Sequence, residues 1–504
     1  MKMGKVWLVG AGPGDVELLT VKAKEVLGRA DVVIYDALVG QSVIAELWGQ
    51  TELLYVGKRA GCHLVPQEEI NSKLIELAKA GRNVVRLKGG DVFLFGRGGE
   101  EVEALTEAGI DFEIIPGISS ALAVPAYNGI PVTHRDYCAG VHIITGHRRR
   151  GMEVDIDYRA LCGLGGTLIF LMSTKSLQEI CSGLLEAGMA PDTPAAVLSQ
   201  GTMANQKRLL GNVSSIAEQM RQNPLPTPTI LMVGQVCSLA DLFSWYEKLP
   251  LFGSKVVLTR PRGRGRELAG RLRQQGAQVI ELPTIAMRPI EDNRILREQL
   301  LQLHRFQWLV FTSPSGVECF FQQCLKMSFD IRRLSGIKIA VIGAGTADSL
   351  QKKGILPDLM PDTYSAGELG RKLAGVLHPG EHVLIARARE GTPELIQELE
   401  GVPGVELVDI PLYDTVSAEI TEPVLKEVLA EPDTITVFTS ASTVRGYTAN
   451  AQGVDFSKVC AACIGRQTMQ EAMKWHMDAY AAQEATVDAL EELVVKLCLW
   501  KRSG

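Results

Sequence analysis

Along the whole chain, short apolar runs rich in β-branched residues alternate with stretches of about 10–15 residues whose apolar positions recur every three or four. The runs at 6–9, 32–35, 83–87, 141–145 and 167–171 predict strands, and a new series opens at 255–258. Their alternation with helical patterns is the mark of βα units on largely parallel sheets. The fold class expected is therefore α/β. The rhythm breaks once, at Trp245-Tyr246-Glu247-Lys248-Leu249-Pro250-Leu251-Phe252-Gly253, where Pro and Gly close a helical stretch and divide the chain into two halves.

The second half repeats itself. Val310-Phe311-Thr312-Ser313-Pro314-Ser315-Gly316-Val317 returns as Val437-Phe438-Thr439-Ser440-Ala441-Ser442-Thr443-Val444, six of eight positions identical at an offset of 127. The same offset carries Arg260-Pro261-Arg262 onto Arg387-Ala388-Arg389 and Glu267-Leu268 onto Glu394-Leu395. Leu282-Pro283 matches Ile410-Pro411, and Ile342-Gly343 with Thr346 matches Ile464-Gly465 with Thr468. Matches in one order are the mark of a duplication, so two similar α/β lobes with a cleft between them are expected.

Composition narrows the picture. A chain of 504 residues with 46% hydrophobic and 22% charged residues is ordinary globular material with room for several domains. Its net charge of −6 gives no global field toward nucleic acid or membrane, so an anionic ligand must be met by local Arg and Lys. Residues 1–9 carry no signal-peptide pattern, and the uncharged stretch 161–172 is too short to span a bilayer. Ten cysteines are sparse in such a length; Cys460 and Cys463 form one CxxC inside a strand-like run, which reads as buried thiols rather than a metal site. No metal is expected, and the compartment expected is the cytoplasm.

Three segments of the first half carry candidate chemistry. Gly10-Ala11-Gly12-Pro13-Gly14-Asp15 follows a strand; it is GxGxG rather than GxGxxG, and Pro13 removes an N–H that a pyrophosphate cradle would use. Asp36 ends the next strand. The run Arg86 to Glu101 packs Arg86, Lys88, Asp91 and Arg97 among glycines, and Glu100 and Glu101 suit a helix N-terminus. Ile115-Pro116-Gly117-Ile118-Ser119-Ser120-Ala121 has the small residues of a ligand-contacting turn.

These segments resemble uroporphyrinogen-III C-methyltransferase, of the tetrapyrrole methyltransferase family. Tyr35-Asp36-Ala37-Leu38-Val39, Val56-Gly57-Lys58-Arg59-Ala60-Gly61 and Gly129-Ile130-Pro131-Val132-Thr133-His134-Arg135-Asp136 extend the likeness; Val92 departs from it, standing where the family usually has Pro. The resemblance implies S-adenosylmethionine bound between two α/β subdomains by Pro13, Gly89, Gly90, Asp91, Leu94, Ser119, Ser120, Met172 and Gly201. It implies Asp36 as base, with Lys58 as the partner that orients or protonates the tetrapyrrole. Arg59, Arg135, Arg148 and Arg149 are the cations available for substrate carboxylates, the last two in the cluster His147-Arg148-Arg149-Arg150. A homodimer through this half is likewise an expectation from the family.

In the second half, Arg260, Arg262, Arg264 and Arg266 crowd a Gly-punctuated strand end, which favours anion binding over ion pairing, and the Thr-Ser-x-Ser repeats suit either carboxylate binding or helix capping. Leu258-Thr259-Arg260-Pro261, Phe311 to Val317, Ile342-Gly343-Ala344-Gly345-Thr346-Ala347, Leu412-Tyr413-Asp414-Thr415 and Phe438 to Ser442 are similar to uroporphyrinogen-III synthase. That family implies two lobes, the chain leaving the first and returning to it, and catalysis without a cofactor. Tyr413 matches its helper for the departing hydroxyl; Arg260, Thr312, Ser313, Thr439 and Ser440 become substrate contacts. The domains expected are 1–245, a linker 246–253, and 254–494, with lobe one about 254–287 and 416–494 and lobe two about 288–415. Together the halves predict closure of hydroxymethylbilane to uroporphyrinogen III and its double methylation to precorrin-2, toward sirohaem or cobalamin. The rivals are a nicotinamide-dependent oxidoreductase built on the first glycine loop, and a second half that binds without catalysing.

Overall fold

The computed structural model of the protein describes residues 3–57, 65–146, 156–260, 266–431 and 433–503. The chain divides into two compact units, 1–282 with 420–439 and 451–504, and 283–419 with 440–450. Both are α/β, as the run pattern predicts.

The first unit holds three five-stranded sheets. One is parallel throughout, in the order Glu52–Tyr55, Val32–Tyr35, Val84–Lys88, Val6–Gly10, Phe112–Ile115. Its apolar runs are explained by burial on both faces. Val6, Leu8, Val32 and Ile34 join Ile70, Leu74 and Leu77 of the helix Gln67–Lys79 in one cluster, while the intervening Val33, Val85 and Leu87 are just as inaccessible. The next sheet runs Val141–Thr145, Thr167–Leu171, Thr229–Val233, Pro194–Ser199, Lys207–Asn212; only its first pair is parallel. Helix Leu177–Glu186 covers one face, and Ala121 and Val124 of the helix Ser120–Tyr127 cover the other.

The third sheet is Gln278–Glu281, Lys255–Leu258, Ile435–Phe438, Cys460–Cys463, Asp478–Ala481, all parallel. The second unit's sheet is Ile285–Pro289, Glu406–Ser417, His382–Ala388, Trp308–Phe311, Lys338–Val341, parallel except for its antiparallel first strand. The repeat is visible in these orders. Lys255–Leu258, the first Arg copy, pairs with Ile435–Phe438, the second Thr-Ser copy; Trp308–Phe311 pairs with His382–Ala388, the two inner copies. Each lobe thus combines one early and one late segment, the exchange that the family resemblance implies.

The segment 246–253 is packed, not extended through solvent. Tyr246 meets Tyr127 and Phe252 edge to face, with ring centroids 4.7 and 5.3 Å away, and Leu251 is fully buried in the core of Val256, Leu258, Leu272 and Val437.

Candidate functional site

Three glycine-bearing loops meet at the C-terminal ends of the first parallel sheet. Gly12 N–H donates to the Gly90 carbonyl at 3.1 Å, and Gly90 N–H returns the bond to Gly12 at 2.7 Å. Gly90 holds φ at +68°, where a side chain is disfavoured. A Cβ on Gly117 would lie 2.2 Å from the Gly90 carbonyl oxygen and 2.6 Å from the Gly10 Cα, so the three backbones can touch only without side chains. Asp91 secures the join: its carboxylate accepts from the amides of Phe93 and Leu94 at 2.9 and 3.0 Å and from Gly117 at 3.1 Å.

This welding argues against the nicotinamide rival. The amide of Ala11 goes to the Lys88 carbonyl and that of Gly12 to Gly90, and the loop runs into a three-residue turn, Val16–Leu18, instead of a helix N-terminus. Asp15 is occupied as well, capping that turn and accepting from the Tyr127 hydroxyl at 3.0 Å, where burial and then the carboxylate itself push the phenol's pKa up.

The loops border a cleft of about 1390 Å³. Pro13, Asp36, Gly89, Gly90, Leu94, Ser120, Met172 and Gly201 all line it, so most of the residues singled out by sequence come together in one place. Asp91 and Ser119 are not on the wall; Ser119 caps the helix Ser120–Tyr127 by accepting from Ala121 N–H. Four lining residues that are not glycine, Phe95, Arg97, Met172 and Gln200, hold φ between +50° and +58°. Such backbone is uncommon and collects at ligand sites. Met172 is half exposed here, at a strand end, rather than in the core.

Beneath the cleft lies a buried charge network. Arg86 donates to Asp36 at 2.8 Å and to Glu101 at 3.0 Å; Lys88 reaches Glu101 at 2.9 Å. Glu101 has no exposure and Arg86 and Lys88 almost none. Burial, and next the neighbouring Arg86 guanidinium, lower the Lys88 pKa against the pull of Glu101. The packing of these charges among glycines brings them to one spot, with Arg86 and Lys88 at the cleft's edge. The structure neutralises Arg86 and Lys88 from below, and gives Glu101, in the first turn of the helix Gly98–Glu107, the further role of their counter-ion. Arg97 pairs with Glu100 on the surface at 2.6 Å. Asp36 alone of the network keeps partial access, with a quarter of its side chain exposed.

Lys58, Arg59, Arg148 and Arg149 lie outside the described residues, as does most of the Arg262-to-Arg266 run. Arg135 is exposed on a turn away from the cleft wall. Two cleft-lining cations escape sequence reading, Lys175 and Lys255; the first follows Met172-Ser173-Thr174 at a strand end, a signal that looks like any turn.

In the second unit, Tyr413 is nearly buried and its hydroxyl sits 3.0 Å from Ser313 Oγ. Ser313 also caps the helix Pro314–Lys326, accepting from Gly316 N–H at 3.0 Å, and Ser440 treats Thr443 N–H likewise at 3.3 Å. Both Thr-Ser copies therefore cap helices, with Thr312 and Thr439 half-buried at the preceding strand ends. The inner Arg copy is an ion-pair network: Arg387 with Asp409 at 2.7 Å and Arg389 with Asp414 at 2.6 Å. Arg260, its outer counterpart, is half-buried just past the strand Lys255–Leu258. Cys460 and Cys463 are buried strand residues, and among the described residues no group of three or more His, Cys, Asp or Glu could hold a metal. Among the described residues no helix is long and apolar enough to cross a membrane.

Fold and site thus define a two-part α/β enzyme: a glycine-built cleft over a buried charge network, followed by a duplicated, strand-exchanged pair of lobes. Residues 5–217 match the family model of tetrapyrrole (corrin/porphyrin) methylases, and 266–492 that of uroporphyrinogen-III synthase HemD. The porphyrin biosynthesis protein HemD of Ruminiclostridium josui is 39% identical over 99% of both chains. The uroporphyrinogen-III C-methyltransferase of Bacillus subtilis is 36% identical over 74% of this chain and 77% of its own. Among solved structures, uroporphyrin-III C-methyl transferase of Thermus thermophilus complexed with S-adenyl homocysteine is 37% identical, covering 47% of this chain and 99% of that one, with a TM-score of 0.41. The chain belongs to the tetrapyrrole methylases through its first half and to the uroporphyrinogen-III synthases through its second, a fusion of two enzymes of tetrapyrrole biosynthesis.

Proposed function

We propose that the protein closes hydroxymethylbilane to uroporphyrinogen III in its second half and methylates that product twice in its first, giving precorrin-2. The observation that carries this reading is the convergence of Pro13, Gly89, Gly90, Leu94, Ser120, Met172 and Gly201 with Asp36 on one cleft. That cleft suits S-adenosylmethionine: Leu94, Val124, Leu171 and Ile230 offer an apolar bed, and Gly90 presents bare backbone with no heavy atom but the Ser120 amide, 3.7 Å away, where its Cβ would stand. When bound, the cofactor supplies an electrophilic methyl group. The residues of this chain then have two tasks. They hold the pyrrole carbon in line with that methyl, and Asp36, fixed by Arg86 and by the Leu38 amide at 3.1 Å, takes the ring proton. Lys58 is the proposed partner of Asp36, and Arg59, Arg135, Arg148 and Arg149 the proposed carboxylate contacts.

In the second half Tyr413, with Ser313 as its hydrogen-bond partner, assists the departing hydroxyl of the bilane. Arg260, Thr312, Ser313, Thr439 and Ser440 bind carboxylates, and no cofactor takes part. The protein works as a homodimer in the cytoplasm on these small molecules, apart from nucleic acid and membrane.

Anaerobic incubation of hydroxymethylbilane with the purified protein, followed by mass spectrometry and isomer analysis, tests both activities. Type III uroporphyrinogen without S-adenosylmethionine and a dimethylated product with it are expected. The type I isomer alone would reduce the second half to a binding module, and unmethylated uroporphyrinogen III would remove the first activity.

A further inference from the structure

The cleft of the first half has one wall that the first half does not supply. Pro423, Val424, Glu427 and Glu431, on and just after the helix Pro423–Ala430, line it together with Asp36 and Gly89, although they lie inside the stretch that matches the synthase family. Polar contacts seat this helix. The Tyr35 hydroxyl, one residue before Asp36, donates to Glu422 at 2.7 Å. Lys255 donates to Gln41 at 3.2 Å and pairs with Glu431, which also accepts from Gln41 at 3.4 Å.

The wall's charges are unequal. Glu431 is neutralised by Lys255, whereas Glu427, one turn earlier and exposed, has no ion pair among the described residues. An unpaired carboxylate facing a cleft repels a polyanion, and methylation at ring carbons leaves every carboxylate of the substrate in place. Attraction from this wall would hold substrate and product equally and slow release; repulsion trims that uniform binding without touching the methyl-transfer step.

We propose that Glu427 sets the affinity of the methyl-transfer cleft for its polycarboxylate, the synthase half thereby serving as a charged wall of its neighbour's site. The inference rests on the proposed substrate class of that cleft.

Uroporphyrin III, the fluorescent octacarboxylate, is the probe, titrated into the full-length protein. Glu427→Gln is expected to tighten Kd about threefold and Glu427→Lys about tenfold, both gains shrinking in about 0.5 M sodium chloride. A misfolded variant that took up the porphyrin on exposed apolar surface would keep its gain in salt, and such an outcome would overturn the inference. Lys426→Gln, on the same helix but off the cleft wall, is the control and is expected to leave Kd unchanged. Equal Kd in wild type and both Glu427 variants would overturn the inference, and so would a shift that Lys426→Gln shares. If the wild type methylates uroporphyrinogen III while those constants stay flat, only this inference fails. A wild type that neither binds the probe nor methylates removes the functional reading with it.

Discussion

Glu101 is sealed from solvent yet answers two cations, Arg86 and Lys88. Removing its charge takes the ion pair from buried Lys88 and leaves Arg86 with Asp36 alone, so Glu101→Gln is expected to lose about 3–5 kcal/mol of stability, read as a fall in the urea midpoint. Asp36 stands at the accessible end of the same network, and Asp36→Asn is expected to stop methyl transfer while S-adenosylhomocysteine affinity, measured by calorimetry, stays within about twofold. Retained turnover would remove Asp36 as the base. Burial pushes Cys460 and Cys463 up to about 11 and 12. At pH 8 their thiolates are roughly a hundredfold or more scarcer than those of ordinary thiols, so both should resist iodoacetamide in the folded protein and react once it is denatured. The sign for stability follows: the unfolded chain sheds these protons near pH 8.5, the folded one near 11–12. Their contribution is therefore full below about 8.5 and fades as pH climbs. Of these residues the CxxC was readable through its apolar context, and Asp36 was singled out through the family resemblance. The sequence could not show Glu101 as a counter-ion, because a carboxylate in the first turn of a helix looks the same whether it faces water or a buried guanidinium.

Strands and glycine loops were the most legible elements, since an apolar β-branched run favours extended backbone and a Gly-Gly pair marks conformations or close approaches that side chains forbid. What stayed hidden was which loops touch. Gly10, Gly90 and Gly117 lie far apart in the chain, and only the sheet order, with Val6–Gly10 between Val84–Lys88 and Phe112–Ile115, makes them neighbours. Gly117→Ala should cost about 1–3 kcal/mol, because backbone has to move aside. Gly99→Ala, within the helix Gly98–Glu107 and with nothing near its Cβ, should instead stabilise by about 0.5–1 kcal/mol. Thermal unfolding of the pair checks the contrast; equal effects would mean that the loops are not welded. The Thr-Ser copies show the converse limit. A hydroxyl at a strand-to-helix turn reads equally as cap or ligand, and the caps made by Ser313 and Ser440 satisfy one reading while leaving the Ser313 contact to Tyr413 for the other.

On the scale of the whole chain, the junction belongs to the second half's core. Leu251 is buried there, its amide bonds to Gln275 at 2.8 Å, and Arg502 donates to the Pro250 carbonyl at 2.6 Å. A second half expressed from Leu249 should therefore be more stable than one begun at Gly253, by about 2 kcal/mol or more in urea unfolding; equal midpoints would show that the junction contributes nothing. The duplication was legible from its spacing alone, whereas the exchange of strands between copies was implied by the family resemblance, because a repeat does not say which of its segments pair. That exchange also sets a timetable for synthesis. Strand Lys255–Leu258 leaves the ribosome long before Ile435–Phe438, its central partner, and every strand of the second unit's sheet is made in between. At about 5–20 residues per second, the nascent chain carries an open, apolar sheet edge for many seconds, and the inserted lobe can assemble its whole sheet before the lobe that encloses it has begun to close, waiting only for its last segment, 440–450.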